Sequence, residues 1–305
     1  MNKSVLKKCI VLTGPVGVGK SLLSNELKKK TELPCIIFDI MRHAPMTIEN
    51  IRQNRQFVLN KIAELEQELA LANPQRCEEI KKEIAGFKNA VWVSEEQEKI
   101  RTLLPKLPNY EMLGYDERVS RYIQDNSEKY GVSRHIAWHY YQKRFEIELF
   151  KAMTEQLQTP AILDLGGGVP VCLTKDYEVF DKVAKQILKD QRKFEEKYPF
   201  TKKDLKTAFP YSPKECQKET LHMFDCFPSK NIVSLHLADD YMQNSARAKH
   251  EPLNEKFVNS GFYDMVSGTK INTNGMQTAN GIDSQVVSEI AAKIIEKTQV
   301  EVLAQ

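Results

Sequence analysis

The eight residues Gly14-Pro-Val-Gly17-Val-Gly19-Lys20-Ser21 fit the pattern G-x-x-x-x-G-K-[ST] and constrain this chain more than any other stretch. Before them runs Cys9-Ile-Val-Leu-Thr13, an apolar, β-branched segment that reads as a buried strand; after them Leu22, Leu23 and Leu27 recur at helical spacing. A strand, a glycine-rich loop and a helix in that order bring loop N–H groups and the positive end of a helix dipole to one point, where a phosphate can sit. On this reading Gly14, Gly17, Val18, Gly19, Lys20, Ser21 and Leu22 form the nucleotide-phosphate site, with Lys20 the mobile cation for the β- and γ-phosphates and Ser21 a ligand of Mg²⁺. The loop points to phosphate binding and leaves the reaction open.

Further apolar runs end on residues of the same chemistry. Pro34-Cys-Ile-Ile-Phe38 predicts a second strand ending on Asp39, and Pro160-Ala-Ile-Leu-Asp164-Leu a third, followed by Gly166-Gly167-Gly168. In open parallel sheets ligands bind beyond the carboxyl ends of the strands, so Asp39, Asp164 and the triple glycine are expected in the crevice of the phosphate loop. Asp39 reads either as a crevice carboxylate or as a capping residue; Asp164 suits an outer-shell carboxylate for Mg²⁺. The triple glycine reads either as a close backbone approach to a ligand or as a sharp turn. Asn231 to Leu237 predicts a fourth strand, Lys270 to Gly275 a short last strand with a turn, and Ser284 to Leu303 an amphipathic closing helix.

Between these blocks the chain is helical. Apolar residues at 51, 58, 65 and at 62, 69, then Ile80, Ile84, Phe87 and Val91, predict a helical hairpin turning at Asn73-Pro74, an insertion over 47–109. Such a stripe reads as packing between the two arms or as a surface for a protein partner. Residues 116–157 predict two helices divided near Tyr130-Gly131, and Arg144 and Glu148 on the second share a face, either as a surface ion pair or toward a substrate. A second insertion, 173–230, begins with a charged helix and continues through a proline-punctuated stretch without assignable chemistry. The polar segment 239–251, with Arg247, Lys249 and His250, suits a lid whose cations close over phosphates.

In this order the phosphate loop, Asp39, the triple glycine, the basic segment and Ile271-Asn-Thr-Asn-Gly275 resemble shikimate kinase and its small-molecule-kinase relatives, over about 1–40, 134–172 and 231–297. The resemblance implies one P-loop kinase-type α/β domain over 1–305, a parallel sheet wrapped by helices, transferring the γ-phosphoryl of ATP to a substrate hydroxyl. It implies catalytic roles for Lys20, Asp39 and Arg247, Mg²⁺ at Ser21 and Asp164, and a substrate side made by Asp39, Arg144 and Gly166, Gly167 and Gly168. The family's Asp-x-Asp pair is represented by Asp39 alone, and its Phe-Arg-x-x-Glu only approximately, as Arg144 to Glu148. Its lid Arg-Pro-Leu is here Glu251-Pro252-Leu253, and Asn259 stands at a further arginine position. Loss of these arginines argues against shikimate itself.

The expectation is therefore a Mg·ATP-dependent kinase for a small hydroxylated molecule. One alternative is a nucleotide-binding switch whose hairpin, 47–101, binds a protein; a nucleoside or nucleotide kinase is another. No N-K-x-D guanine signature occurs, which favours ATP. The 44 Lys and Arg against 41 Asp and Glu are interleaved along the chain, so neither nucleic acid nor a membrane surface is implied as a partner. Six cysteines without C-x-x-C spacing read as free thiols, and with no long apolar run or signal-peptide core the chain is expected to be cytoplasmic.

Overall fold

A computed structural model describes residues 2–42, 47–108, 112–114, 116–191, 209–236, 252–278 and 281–300. Helix α1 (Lys3–Leu6) precedes the first strand. Strands β1 (Ile10–Thr13), β2 (Cys35–Ile37), β3 (Ile162–Asp164), β4 (Ile232–His236) and β5 (Thr269–Asn272) form a sheet of order β2-β3-β1-β4-β5, parallel throughout. The protein is thus α/β. Central strands are buried along their length because helices cover both faces, which is why they read as continuous apolar runs.

On one face Ile10, Leu12, Cys35, Ile162, Val233 and Leu235 pack against α2 (Lys20–Thr31) and the closing helix, here called α12 (Ser284–Thr298), through Leu23, Leu27, Ile290 and Ile294. On the other, Val11, Ile36, Leu163 and Ile232 meet α3 (Phe38–Met41) and α7 (Arg134–Gln156) through Phe38, Met41, Ile147 and Phe150. The expected strand over Pro34 to Phe38 is shorter: the chain enters α3 at Phe38, so Asp39 lies in a helical first turn.

The hairpin forms as α4 (Ile48–Leu69) and α5 (Pro74–Leu103). Thr47 and Asn73 cap the two arms by accepting from the Asn50 and Arg76 N–H groups, and Pro74 occupies the first turn, where its missing N–H costs nothing. Ile62, Leu65, Ile80 and Ile84 make a separate small core between the arms, while Ile100 and Leu104 at the root join the main core.

Helix α6 (Glu117–Asn126) leads into α7; α8 (Thr174–Gln191) packs against α7 through aromatic contacts, and α9 (Pro213–His222) joins the same core through Cys216. Tyr140 stacks on Tyr177 at 4.5 Å and meets Phe209 at 5.1 Å. Part of the second insertion therefore supports α7. Two short helices, α10 (Asn254–Asn259) and α11 (Phe262–Val266), precede β5. A small antiparallel pair, β6 (Gln277–Thr278) and β7 (Gly281–Ile282), follows it. Among the described residues no helix is long and apolar enough to cross a membrane.

Candidate functional site

The register of the sheet aligns its tips: Ile37 and Leu12 both pair with Asp164, and Thr13 with Ser234. All strands run the same way, so the chain leaves β1 into Gly14, β2 into Asp39 and β3 into Gly166 at one end of the sheet.

Gly14 has φ of +141°, and a Cβ there would lie 2.6 Å from the Leu235 carbonyl oxygen, so no other residue fits the turn out of β1. Gly17 and Gly19 also have positive φ, and α2 begins directly after Gly19, with Lys20 and Ser21 in its first turn. Val18 is buried and Leu22 partly so against the core beneath α2, so both anchor the loop. The Lys20 ammonium lies back along the loop, donating to the Gly14 carbonyl at 2.8 Å and the Pro15 carbonyl at 2.9 Å.

Asp164 is 3% exposed beside this helix start. It accepts from the Ser24 hydroxyl at 3.2 Å, and the Ser21 hydroxyl is a further partner. Burial pushes its carboxyl up to about 6, against the pull of Lys20 and Ser24. No group of three or more His, Cys, Asp and Glu suited to a metal occurs among the described residues. The donor set that fits Mg²⁺ is the exposed Ser21 hydroxyl with Asp164 behind it, hard oxygen ligands that leave room for phosphate and water.

On the opposite wall, Gly166 faces Asp39: an added Cβ would lie 2.5 Å from Asp39 Oδ1. Asp39, 54% exposed, pairs with Arg42 Nη2 at 3.1 Å, and Arg42 Nη1 lies 3.5 Å from Glu146 Oε1. Glu146 in turn pairs at 2.6 Å with Lys143, which is fully buried and donates also to the Gly168 carbonyl at 2.8 Å and the Val169 carbonyl at 3.0 Å. A chain of alternating charge thus runs from Asp39 to the backbone of the glycine run. Burial works to raise the Glu146 carboxyl, but the charges of Lys143 and Arg42 outweigh it and hold it below the usual carboxylate range.

His139 completes the support. Gly168 O can only accept, so His139 Nε2, 3.3 Å away, carries the proton, and Nδ1 accepts from the Tyr177 hydroxyl at 2.6 Å. Burial first, then the Lys143 charge, lower this imidazole from the ordinary 6.5 to about 3. Below 6.5 the unfolded chain takes up a proton that the folded chain refuses until about 3, so stability falls with pH across that window. His139→Gln should flatten the slope there by up to about 1.4 kcal/mol per pH unit. Denaturant titrations across the window yielding equal slopes for the two proteins would contradict the assignment.

The α10–α11 segment clasps both loops. Asn254 Oδ1 accepts from the Val16 N–H at 3.1 Å, the Tyr263 hydroxyl donates to the Gly167 carbonyl at 2.7 Å, and Phe257 packs on His139 with ring centroids 4.8 Å apart. Gly167 lies against Val16 of the glycine-rich loop, where an added Cβ would come within 3.0 Å.

Of the residues singled out by sequence, Gly14 to Leu22, Asp39, Asp164 and Gly166 to Gly168 are brought to this end of the sheet. Arg144 is placed elsewhere: its Nη2 donates to the carbonyls of Leu113 and Gly114 at 3.0 and 2.7 Å, and its guanidinium lies 4.2 Å from the Phe145 ring. With Glu148 it does share a face, lining a small cavity with Pro210 and Tyr211. The α7 residues that reach the glycine run are His139, Lys143 and, through Lys143, Glu146. Lys143-Arg-Phe-Glu146 supplies a base followed three positions later by Glu, a signal present in the sequence but passed over for the Arg144 register. Arg247 and the rest of 239–251 lie outside the described residues.

Lys143→Met should destabilise the fold by about 3 kcal/mol, because Glu146 would keep only the more distant Arg42 beside it. A loss below about 1 kcal/mol in urea unfolding would show that the buried pair is not a structural strut.

The class defined by these features is an α/β protein with an all-parallel five-stranded sheet and a glycine-rich loop at the carboxyl end of its central strand. In comparisons with known proteins, the chain matches no family model, no curated protein and no solved structure.

Proposed function

We propose that this protein is a Mg·ATP-dependent phosphotransferase, of P-loop kinase type with two helical insertions, whose acceptor is the hydroxyl of a small molecule. The observation that carries the reading is the convergence at one sheet end of the Gly14–Ser21 loop, the exposed Asp39 carboxylate and the Gly166–Gly168 backbone. One group of residues suits a nucleotide phosphate chain, and the other a nucleophile beside it.

In this reading the loop N–H groups and the α2 start hold the phosphates, and Lys20 leaves its own loop carbonyls to meet the γ-phosphate. Mg²⁺, held by Ser21 with Asp164 behind, would supply charge neutralisation on the phosphate oxygens. Asp39 accepts the hydrogen bond of the acceptor hydroxyl and orients it. The acceptor oxygen forms a bond to the γ-phosphorus, the bond from that phosphorus to the β–γ bridging oxygen breaks, ADP leaves with the electron pair, and the hydroxyl proton passes through Asp39 to solvent. Arg42, Glu146 and Lys143 hold Asp39 and the glycine run in place, and Arg247 is assigned to the closing segment. Phosphoryl transfer depends mainly on positioning and charge stabilisation, which these groups supply.

The test is ³¹P NMR of the full-length protein with ATP, Mg²⁺ and pooled small hydroxylated metabolites. A new phosphomonoester resonance, absent with Lys20→Ala, is the expected result; ATP that binds but is transferred to nothing contradicts it. That second outcome would favour a nucleotide-dependent binding protein, a reading supported by Phe57 and Trp92, which are 62% and 41% exposed on the two arms of the hairpin.

A further inference from the structure

The charge balance of the acceptor wall narrows the kind of molecule that can stand there, given the phosphotransferase reading on which this inference rests. Among the described residues, the cations that α3 and α7 bring to this wall are Arg42 and Lys143. Lys143 is buried completely, and its ammonium is engaged by Glu146 Oε2 at 2.6 Å, Gly168 O at 2.8 Å and Val169 O at 3.0 Å. Each of its N–H donors therefore has a protein acceptor, and it offers nothing to a ligand.

Arg42 is held between two carboxylates, Asp39 and Glu146, with Gln142 Oε1 at 3.3 Å as a further acceptor. Two cations stand against two carboxylates on this wall, and the member of the set that faces outward most is Asp39, at 54% exposure against 22% for Arg42. Among the described residues, the other polar side chains bonded to the glycine run and the loop are neutral: the His139 imidazole, the Tyr263 hydroxyl on Gly167 and the Asn254 amide on Val16. An acceptor bearing its own carboxylate or phosphate would set that charge near Asp39, where the cations of this wall among the described residues are already paired with carboxylates, and would be desolvated there without a further counter-ion from them. A hydroxyl-rich neutral molecule meets no such penalty, since each O–H can donate to Asp39 or accept from backbone N–H groups.

We propose that the acceptor is an uncharged polyhydroxy molecule, a sugar, cyclitol or nucleoside, and that hydroxy acids, sugar phosphates and nucleotides are excluded by the balanced Asp39–Arg42–Glu146–Lys143 set. The same phosphoryl transfer applies, from ATP to one hydroxyl of that molecule, with ADP as the leaving group.

The test uses the full-length protein with Mg²⁺ and ATP against matched probes: glucose, glucuronate and glucose 6-phosphate; inositol and quinate; adenosine and AMP. Phosphorylated product is read by ³¹P NMR, acceptor binding by saturation-transfer NMR with a non-hydrolysable ATP analogue, and nucleotide binding by calorimetry on the same preparation. The expected result is engagement of at least one uncharged member, preferred by at least about tenfold over its charged partners. Equal or better engagement of a charged member overturns the proposal, as does failure of every uncharged member to engage. If calorimetry shows no binding of Mg·ATP, the phosphotransferase reading itself fails; if nucleotide binds and only charged acceptors are used, that reading stands and the neutral-acceptor proposal alone falls. Asp39→Asn gives an independent readout: transfer is lost, yet binding of glucuronate or quinate should tighten by about threefold as the facing carboxylate disappears. Unchanged or weaker binding of these acids would count against the charge argument.

Discussion

Lys20→Ala should lower phosphoryl transfer by at least about a hundred- to a thousandfold while leaving the fold intact. The structural half of this expectation rests on the contacts of Lys20, which is partly exposed and bonds to the carbonyls of Gly14 and Pro15 within its own loop. Loss of those bonds frees two carbonyls near solvent, at a cost far below that of a core defect. The functional half follows from the proposed reaction: negative charge would spread over the γ-phosphoryl oxygens as the group passes between oxygens, and a positioned ammonium acts most strongly there. Coupled ADP-release assays, with thermal unfolding of the same sample, separate the two. Turnover within about threefold of wild type would remove Lys20 from the proposed mechanism.

Asp39→Asn should lower turnover by about a hundredfold or more while changing Mg·ATP affinity little. The substitution keeps the shape that packs against Gly166, where Oδ1 lies 2.5 Å from an ideal Cβ position, so the wall is not rebuilt. What changes is charge: the amide can hold the acceptor hydroxyl but cannot accept its proton, and Arg42 is left to Glu146 and Gln142. A parallel fall in turnover and nucleotide affinity would place Asp39 on the phosphate side, as a partner of the metal. Unchanged turnover would remove it from the chemistry.

The glycine-rich loop between β1 and α2 was legible because its geometry is local. Gly14, Gly17 and Gly19 each take positive φ within a few residues of one another, between a buried strand and a helix that begins at Lys20. The strands over 10–13, 162–164 and 232–236 were legible for a related reason, since both faces of the central sheet are covered and, apart from Asp164 and His236 at the strand ends, every position is apolar or small. Helix α9 lies in the stretch that reads only as proline-punctuated. In fact Ser212 and Glu215 form a capping box and Pro213 opens the helix, a local signal that was available.

The wall that α7 and Asp39 make beside the glycine run was less legible, because it depends on how far a helix is rotated. Lys143 and Arg144 are neighbours in sequence, yet one is spent on the Gly168 and Val169 carbonyls and the other on those of Leu113 and Gly114. Spacing of three and spacing of four both put charges on one side of a helix, and only packing decides which side faces the sheet. The Asn254–Val16 and Tyr263–Gly167 bonds span 238 and 96 residues, and no local pattern announces them.

The central claim is that the loop from Gly14 to Ser21 holds the phosphates of ATP, and calorimetric titration of the full-length protein with Mg·ATP tests it most directly. Saturable binding that is lost in Lys20→Ala and weakened when Mg²⁺ is removed is the predicted result. An absence of binding by wild-type protein, or binding that Lys20→Ala leaves unchanged, would contradict it.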